Sequence, residues 1–217
     1  MALRLYAHPF SSYCWKALIA FYENDIAFEY RHVEHDGVMA ELEGLWPLKC
    51  FPVLQDGDGV VVEATSIIEH LAVHYPGPVA LVPADPEVAA EARMLDRIFD
   101  NYVATPQGKH VFDAMRAEGE RDPRGVADAA AMLDTIYVWL DRRMQDRTWA
   151  VAESFTLADC AAAPHLFYAD WTRPIPPELR ALQAYRLRLL ARPSVARCIE
   201  DARPYRAYFP LGAPDRD

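Results

Sequence analysis

The chain has 217 residues, 52% of them hydrophobic and 25% charged, which is ordinary for a soluble globular protein with enough length for a sizeable core. Its formal net charge of −10 at pH 7 argues against a surface that binds nucleic acid or anionic membranes. No apolar run approaches the roughly 20 residues that a membrane span needs, and the N-terminus shows no secretion signal.

The first part of the chain alternates between the residue patterns of strand and helix. Apolar residues at positions 15, 18, 19 and 22 have helical spacing, and Asp56-Gly57-Asp58-Gly59 is a hairpin signal. The predicted elements are a strand over 3–8, a helix through 15–22, a strand over 27–34, a short helix over 38–44, strands over 51–55 and 60–62, and a helix over 63–75. The predicted order is therefore β-α-β-α-β-β-α.

Four prolines between positions 76 and 86 indicate a linker, and beyond them the pattern is helical. Thr156 has the position of an N-cap, with Asp159 three residues on as in a capping box. The predicted helices carry apolar seams over 88–102 and 126–144, begin at 156, and span 178–191 and 194–202. These patterns predict an α/β domain over 1–77, a linker over 78–86 and an all-helical domain over 87–217.

Two serines, Ser11 and Ser12, lie where the first predicted strand gives way to the first predicted helix. The first backbone N–H groups of a helix lack intrahelical partners, and the helix dipole presents its positive end there. Such a turn favours an anion, and we interpret it as a site for a deprotonated thiol.

The chain carries four motifs in this order: Ser11-Ser12-Tyr13-Cys14, Phe51-Pro52-Val53-Leu54, 62–68 (VEATSII) and 154–159 (SFTLAD). With them the chain resembles the cytosolic glutathione transferase superfamily over nearly its whole length. The first motif looks like the S-x-x-C of theta-type and the S-S of zeta-type members. The others look like the family's V-P-x-L with its cis-proline, its E-S-x-A-I and its S-x-A-D capping box. The resemblance implies a thioredoxin-like N-terminal domain, a helical-bundle C-terminal domain, glutathione as co-substrate and a homodimer.

The resemblance also implies that a serine hydroxyl stabilises the thiolate of glutathione. A hydrogen bond to a charged sulfur contributes roughly 1.5–3 kcal/mol and the helix N-terminus another ~0.3–1 kcal/mol. Together they lower the thiol pKa by about 1.3–3 units. Ser11 is the first choice because it holds the first position of S-x-x-C. Ser12 is the alternative, and the other serine is expected to cap the helix or to make a second contact.

The remaining contacts to glutathione follow from the same resemblance. The Phe51 backbone would pair with the cysteinyl backbone, and Glu63 would accept from the γ-glutamyl ammonium. Ala64 replaces the usual serine, so its N–H, Thr65 or Ser66 would have to compensate, and Lys49-Cys50-Phe51 replaces the commoner G-K-V. The full implied set is Phe10, Ser11, Lys49, Phe51, Pro52, Glu63, Ala64 and Thr65.

An apolar second-substrate pocket between the domains would favour an aromatic or apolar electrophile. Its candidate lining residues are Tyr13, Tyr102, Phe112, Met115, Tyr168 and Trp171.

Three other functions stay open at this point. They are a zeta-like glutathione-dependent isomerase, a non-catalytic interaction protein with the same fold, and a glutaredoxin-like thiol exchanger that uses Cys14. The four cysteines are too scattered for a C-x-x-C pair or a zinc pattern, which favours reduced thiols in a cytoplasmic protein. The pairs His32/His35 and His70/His74 lack an evident third ligand, so no metal is expected.

Overall fold

The computed structural model describes residues 3–151 and 153–217. The first part of the chain follows the predicted order of strands and helices, with bounds that differ by up to three residues. Its elements are β1 (Leu3–Ala7), α1 (Ser12–Glu23), β2 (Phe28–His32), α2 (Val38–Leu45), β3 (Val53–Asp56), β4 (Gly59–Val62) and α3 (Ala64–His74).

The four strands form one sheet in the order β2-β1-β3-β4. β1 pairs in parallel with β2 and antiparallel with β3, and β3 pairs antiparallel with β4. Side chains alternate between the two faces of β1 and β3, as a period of two requires. Leu5 and Leu54, which are register partners, join the large core with α1 and α3, whereas Tyr6 and Val53 join a smaller cluster under α2.

The rest of the chain is helical, as predicted. Its elements are α4 (Pro86–Ile98), a π-helix (Phe99–Ala104), α5 (Thr105–Ala114), a 3₁₀ turn (Glu118–Glu120), α6 (Pro123–Met144), α7 (Leu157–Thr172), α8 (Arg180–Leu190), α9 (Pro193–Ala202) and a 3₁₀ helix (Arg203–Tyr208). The sequence pattern did not indicate the π-helix or α5. The first turn of α5 contains Pro106 and Gly108 and lacks a regular apolar spacing, so periodicity carries little signal there.

α7 lies at the centre of the helical part, with residues 157–171 all buried. The predicted capping box is confirmed at its start, where Asp159 Oδ2 accepts from the Thr156 N–H at 2.8 Å. α1 packs directly on α7, with the rings of Trp15 and Phe167 5.0 Å apart. Both parts of the chain therefore contribute to one hydrophobic core. Among the described residues, no helix is both long and apolar enough to cross a membrane.

Candidate functional site

The turn before α1 holds both candidate serines. Ser11 is the N-cap, with φ −89° and ψ 123°, and its Oγ accepts from the Cys14 N–H at 3.4 Å. A hydroxyl that accepts this bond still has its own proton to donate. Ser12 is the first helical residue, and within residues 3–151 and 153–217 no acceptor pairs with the backbone N–H of Ser12 or Tyr13. The turn can thus offer hydroxyl and backbone donors to one anion.

A cavity of about 420 Å³ lies between this helix, the loop before β3 and the start of α3. The Phe51–Pro52 peptide bond at its wall is cis, as the family resemblance implied. The cavity brings together most of the residues that the sequence suggested for glutathione. Its lining residues are Tyr13, Trp46, Lys49, Cys50, Phe51, Pro52, Val62, Glu63 and Ala64.

The start of α3 has an unusual backbone. Glu63 is its N-cap and has φ +70°, in the left-handed region that costs a non-glycine residue free energy. The Glu63 side chain is exposed, and it has no ion-pair partner in the described part of the chain. Thr65 does not line the cavity, because its hydroxyl donates to Asp96 at 2.9 Å and accepts from Arg97. Thr65 therefore joins α3 to α4.

A second cavity of about 590 Å³ adjoins the first, and Tyr13 lines both. Ser11 and Ser12 open onto this larger cavity. Among its other lining residues are Phe10, Phe112, Met115, Tyr168, Tyr208, Phe209 and Pro210. The structure therefore places Tyr13, Phe112, Met115 and Tyr168 of the suggested second-substrate set around one space.

Two of the suggested residues lie elsewhere. Tyr102, on the π-helix, lines a separate apolar groove of about 580 Å³ between α4 and α6. Trp171 is buried behind the cavity wall and packs its ring on Phe209 at 5.4 Å. Helical spacing alone did not distinguish these faces.

Tyr13 also lies close to His165 and Asp100, which are buried beneath the site. Its ring packs edge-on against His165 at 5.0 Å. Burial, and then the negative charge of Asp100, raise the pKa of Tyr13 to about 12. The phenol therefore keeps its proton at neutral pH and can act as a hydrogen-bond donor between the two cavities.

A buried ionic network that the sequence analysis did not identify supports α1. Lys16 Nζ lies 2.7 Å from Asp96 and 2.8 Å from Asp100. Burial alone would raise the pKa of Asp100, but the hydrogen bond from His165 and the charge of Lys16 outweigh it and hold this pKa at about 2. One signal was present in the sequence, since Lys16 is the charged residue in an otherwise apolar stretch.

Cys14 is fully buried beneath the turn, as a small hydrophobic side chain would be. Burial raises the pKa of its thiol to about 12, although the neighbouring Ser11 side chain and the His8 N–H, which donates to the sulfur at 3.4 Å, oppose this rise. The thiolate is the nucleophilic form, and Cys14 does not reach it near neutral pH. A thiol exchanger built on Cys14 therefore loses its chemical basis.

His8, His32 and Glu34 each place one potential ligand atom within 4.8 Å of the others. Nδ1 of His8 accepts from the Phe10 N–H, and Nδ1 of His32 accepts from the Glu34 N–H. The neutral rings consequently carry their protons on Nε2, where a metal would need the lone pair. Metal-binding histidines normally use the second nitrogen as a donor, so this arrangement does not fit a metal.

Comparison with known proteins gives a consistent result. Residues 5–79 match the model of the glutathione S-transferase N-terminal domain, and residues 109–193 match that of the C-terminal domain.

A stringent starvation protein A homolog of Coxiella burnetii is 26% identical over 166 residues, which cover 76% of this chain and 75% of that protein. Glutathione S-transferase theta-1 of Homo sapiens is 27% identical over 183 residues, covering 77% and 73%. The crystal structure of a glutathione S-transferase from Methylobacterium radiotolerans, in complex with glutathione sulfonate, has a TM-score of 0.78 at 26% identity and covers 92% and 95% of the two chains. Since the two family models match both the α/β and the helical parts, the chain belongs to the glutathione S-transferase family.

Proposed function

We propose that this protein is a glutathione transferase that binds glutathione in the smaller cavity, with the sulfur at the N-terminus of α1. The thiolate would then attack an apolar electrophile held in the larger cavity. The observation that carries the proposal is that two cavities adjoin at Tyr13, beside a helix start that offers the Ser11 hydroxyl. The relative from Methylobacterium radiotolerans, crystallised with glutathione sulfonate, supports glutathione as the ligand.

In this arrangement Ser11 donates its free proton to the sulfur while its oxygen keeps the helix cap. The hydroxyl needs no base, because it shares its proton and does not lose it. Ser12 lies one residue further on and also lines the cavity, so it is the alternative donor. A lost hydrogen bond to a charged sulfur corresponds to about 1–2 pKa units of the thiol.

The rest of glutathione would occupy the wall formed by Phe51, Pro52, Glu63 and Ala64. The backbone groups of Phe51 would pair with its cysteinyl residue, and the carboxylate of Glu63 would meet its ammonium group. The Ala64 N–H begins a helix and would face the γ-glutamyl carboxylate. Lys49 forms an exposed ion pair with Glu43 at 2.8 Å, which it would have to exchange for the glycine carboxylate.

The aromatic and apolar lining of the larger cavity supports an apolar or aromatic electrophile. Tyr13 would donate its phenolic proton to negative charge that develops on this substrate. An isomerase that adds the thiolate to a double bond would use the same groups. We also propose a homodimer, and the exposed Tyr102, Met132 and Trp139 of the groove between α4 and α6 support a contact there.

The decisive experiment is an ultraviolet titration of the glutathione thiolate bound to the protein. We expect Ser11→Ala to raise the pKa of bound glutathione by about 1–2 units and to lower kcat/KM at pH 6.5 by roughly 10–100-fold. Ser12→Ala is the matched control and should change both values much less. The reverse pattern would assign the role to Ser12, and two unchanged titrations would exclude a serine-stabilised thiolate.

A non-catalytic interaction protein remains the second candidate, because Ala64 lacks the usual hydroxyl and Lys49 is already paired. Isothermal calorimetry with millimolar glutathione distinguishes the two functions. We expect measurable heat of binding, and its complete absence would favour the interaction protein.

A further inference from the structure

His8 lies between the serine turn (residues 8–12) and the C-terminal segment (residues 203–210). It follows β1 directly and is 7% exposed. Its Nδ1 accepts from the Phe10 N–H at 3.0 Å, and its carbonyl accepts from the Ser11 N–H at 3.1 Å. The Phe10 carbonyl in turn accepts from the Tyr168 hydroxyl at 3.0 Å. The peptide groups that position the serines are thus held from both sides.

The protonation state of His8 follows from these partners. A backbone N–H can only donate, so Nδ1 must carry a lone pair and the neutral ring carries its proton on Nε2. Nε2 lies 3.3 Å from Glu34 Oε1 and has no other partner among the described residues. A second proton would have to go on Nδ1, where it would face the Phe10 N–H and break that hydrogen bond.

The C-terminal segment rests on the same imidazole. The Tyr205 ring packs edge-on against His8 at 4.8 Å, and its hydroxyl lies 3.0 Å from His32 Nε2. The Tyr208 ring stacks on His8 at 6.0 Å and then lines the larger cavity together with Phe209 and Pro210. One side chain therefore contacts both the turn with the serines and a wall of the second cavity.

The groups that face His8 keep it neutral near pH 7. Burial lowers the pKa of His8, and the carboxylate of Glu34 opposes this shift without overcoming it. Burial also lowers the pKa of His32, and a positive charge on His8 or His35 would lower it further. Beneath His8, the Cys14 thiol receives the His8 backbone N–H and is itself neutral. Above it, the charge of Glu34 raises the pKa of Tyr208, which keeps that phenol protonated.

We propose that His8 is a positioning residue for the transfer reaction, whose neutral, Nε2-protonated ring fixes the serine turn and seats the C-terminal segment against the electrophile cavity. Protonation of Nδ1 breaks the hydrogen bond from the Phe10 N–H and weakens both contacts. The hydrogen bond between His8 and Phe10 therefore acts as an acid-sensitive latch. This role rests on the proposed function of the serine turn. His8 is not among the described residues that line either cavity, so it acts on the reaction through the turn and the C-terminal segment.

Two substitutions separate the hydrogen bond from the titration. In His8→Asn, the side-chain oxygen can accept from the Phe10 N–H at the position of Nδ1, and it does not titrate. In His8→Leu, the acceptor is lost at every pH. We expect His8→Asn to keep kcat/KM at pH 7.5 within about threefold of the parent. His8→Leu should lower kcat/KM about tenfold, because the hydrogen bond from the Phe10 N–H is lost and the turn is less ordered.

The acid limb of the activity profile is the diagnostic readout. Below pH 6.5, His8→Asn should lose less activity than the parent. Equal activities of His8→Leu and His8→Asn at pH 7.5 would overturn the positioning role. So would an acid limb identical in His8→Asn and the parent.

A second experiment does not depend on catalysis and distinguishes this proposal from the proposed function. Nitrogen-15 spectra of labelled histidines, assigned with His8→Asn, should show the Nε2–H form of His8 with a pKa below its ordinary 6.5. Hydrogen exchange in residues 203–210 should rise as His8 titrates, and this rise should be absent in His8→Asn. An Nδ1–H form, or exchange that ignores the titration, would overturn the latch even if glutathione transfer is confirmed. If transfer fails while both signals appear, the latch stands and the proposed function falls.

Discussion

At the scale of single residues, the four cysteines differ in what their surroundings allow. Cys14, Cys160 and Cys198 are buried, and burial raises the pKa of each thiol. Cys50 is exposed beside Phe51 in the smaller cavity. Because the thiolate is the reactive species and needs access to its reagent, burial separates one reactive cysteine from three inert ones.

We therefore expect iodoacetamide at pH 8 to label Cys50 in the folded protein and to leave the other three cysteines unmodified until the chain unfolds. Peptide mapping by mass spectrometry measures this, with Cys50→Ser as the unlabelled control. Saturating glutathione should slow the labelling, because the proposed ligand occupies the same cavity. Comparable labelling rates at Cys14 and Cys50 would contradict the burial of Cys14.

Asp159 is a buried residue whose hydrogen bonds contribute to the stability of the helical part. Its carboxylate accepts from the Ala150 and Thr156 N–H groups and from the Tyr185 hydroxyl, at 2.9, 2.8 and 2.6 Å. Asp159→Ala leaves these buried donors unpaired, at ~1–3 kcal/mol for each group. We expect a loss of about 3–5 kcal/mol in the free energy of unfolding, measured by urea denaturation. Asp128→Ala, on the exposed face of α6, should change it by less than about 0.5 kcal/mol.

At the scale of elements, α1 combines three functions in twelve residues. Its N-terminus presents the serines, its apolar face packs on α7, and Lys16 anchors it to Asp96 and Asp100. Lys16 is fully buried, so its ammonium depends on these two carboxylates for solvation. The buried charge fixes which face of α1 meets the helical part of the chain, and hence where the serines lie.

Lys16→Met tests this anchor, because it removes the buried cation and leaves the two carboxylates with the half-exposed Arg97 as their cationic partner. We expect it to lower the free energy of unfolding by about 3–5 kcal/mol in urea denaturation. Adding Asp96→Asn and Asp100→Asn should recover part of the loss, since the two buried carboxylate charges that Lys16 balanced are then gone. Lys109→Met, which breaks a more exposed pair with Asp122, should cost less than about 1 kcal/mol. Equal losses at the two lysines would contradict the role of burial.

Much of this layout was accessible from the sequence, because strands, amphipathic helices and the capping box at Thr156 follow from local chemistry. The sequence did not predict α5, because its first turn is polar and lacks the regular apolar spacing of a helix. At the site, motif order suggested Ser11, Phe51 and Glu63. The contacts of Lys16 and His8 escaped prediction because they join residues far apart in the chain, such as Lys16 with Asp100, whose pairing only the packed helices create.

At the scale of the whole molecule, buried titratable groups link the two parts of the chain. Lys16 on α1 pairs with Asp100, which also accepts from His165 on α7 at 3.0 Å, and His32 at the end of β2 meets Tyr205 of the C-terminal segment. The proton balance of these groups therefore affects the packing between the α/β part and the helices. Acid should weaken that packing before it protonates Asp100, whose pKa is about 2.

The last prediction concerns stability against pH. Burial lowers the pKa of His8, His32, His110 and His165 below the ordinary 6.5. Between the folded and unfolded values the unfolded chain binds more protons, so the free energy of unfolding falls as pH drops below about 6.5, by up to about 1.36 kcal/mol per unit for each histidine. Asp159 and Asp201, whose pKa burial raises, oppose this trend.

We expect urea denaturation to give a lower free energy of unfolding at pH 5.5 than at pH 7.5, with four histidines outweighing two carboxyls. His110→Gln should reduce the slope because one group that prefers its neutral form in the folded state is gone. His74→Gln, at an exposed position of α3, serves as the matched control for the loss of an imidazole at the surface. A flat profile between pH 7.5 and 5.5 would mean that these imidazoles are not held neutral by burial, and the acid sensitivity assigned to His8 would lose its thermodynamic basis.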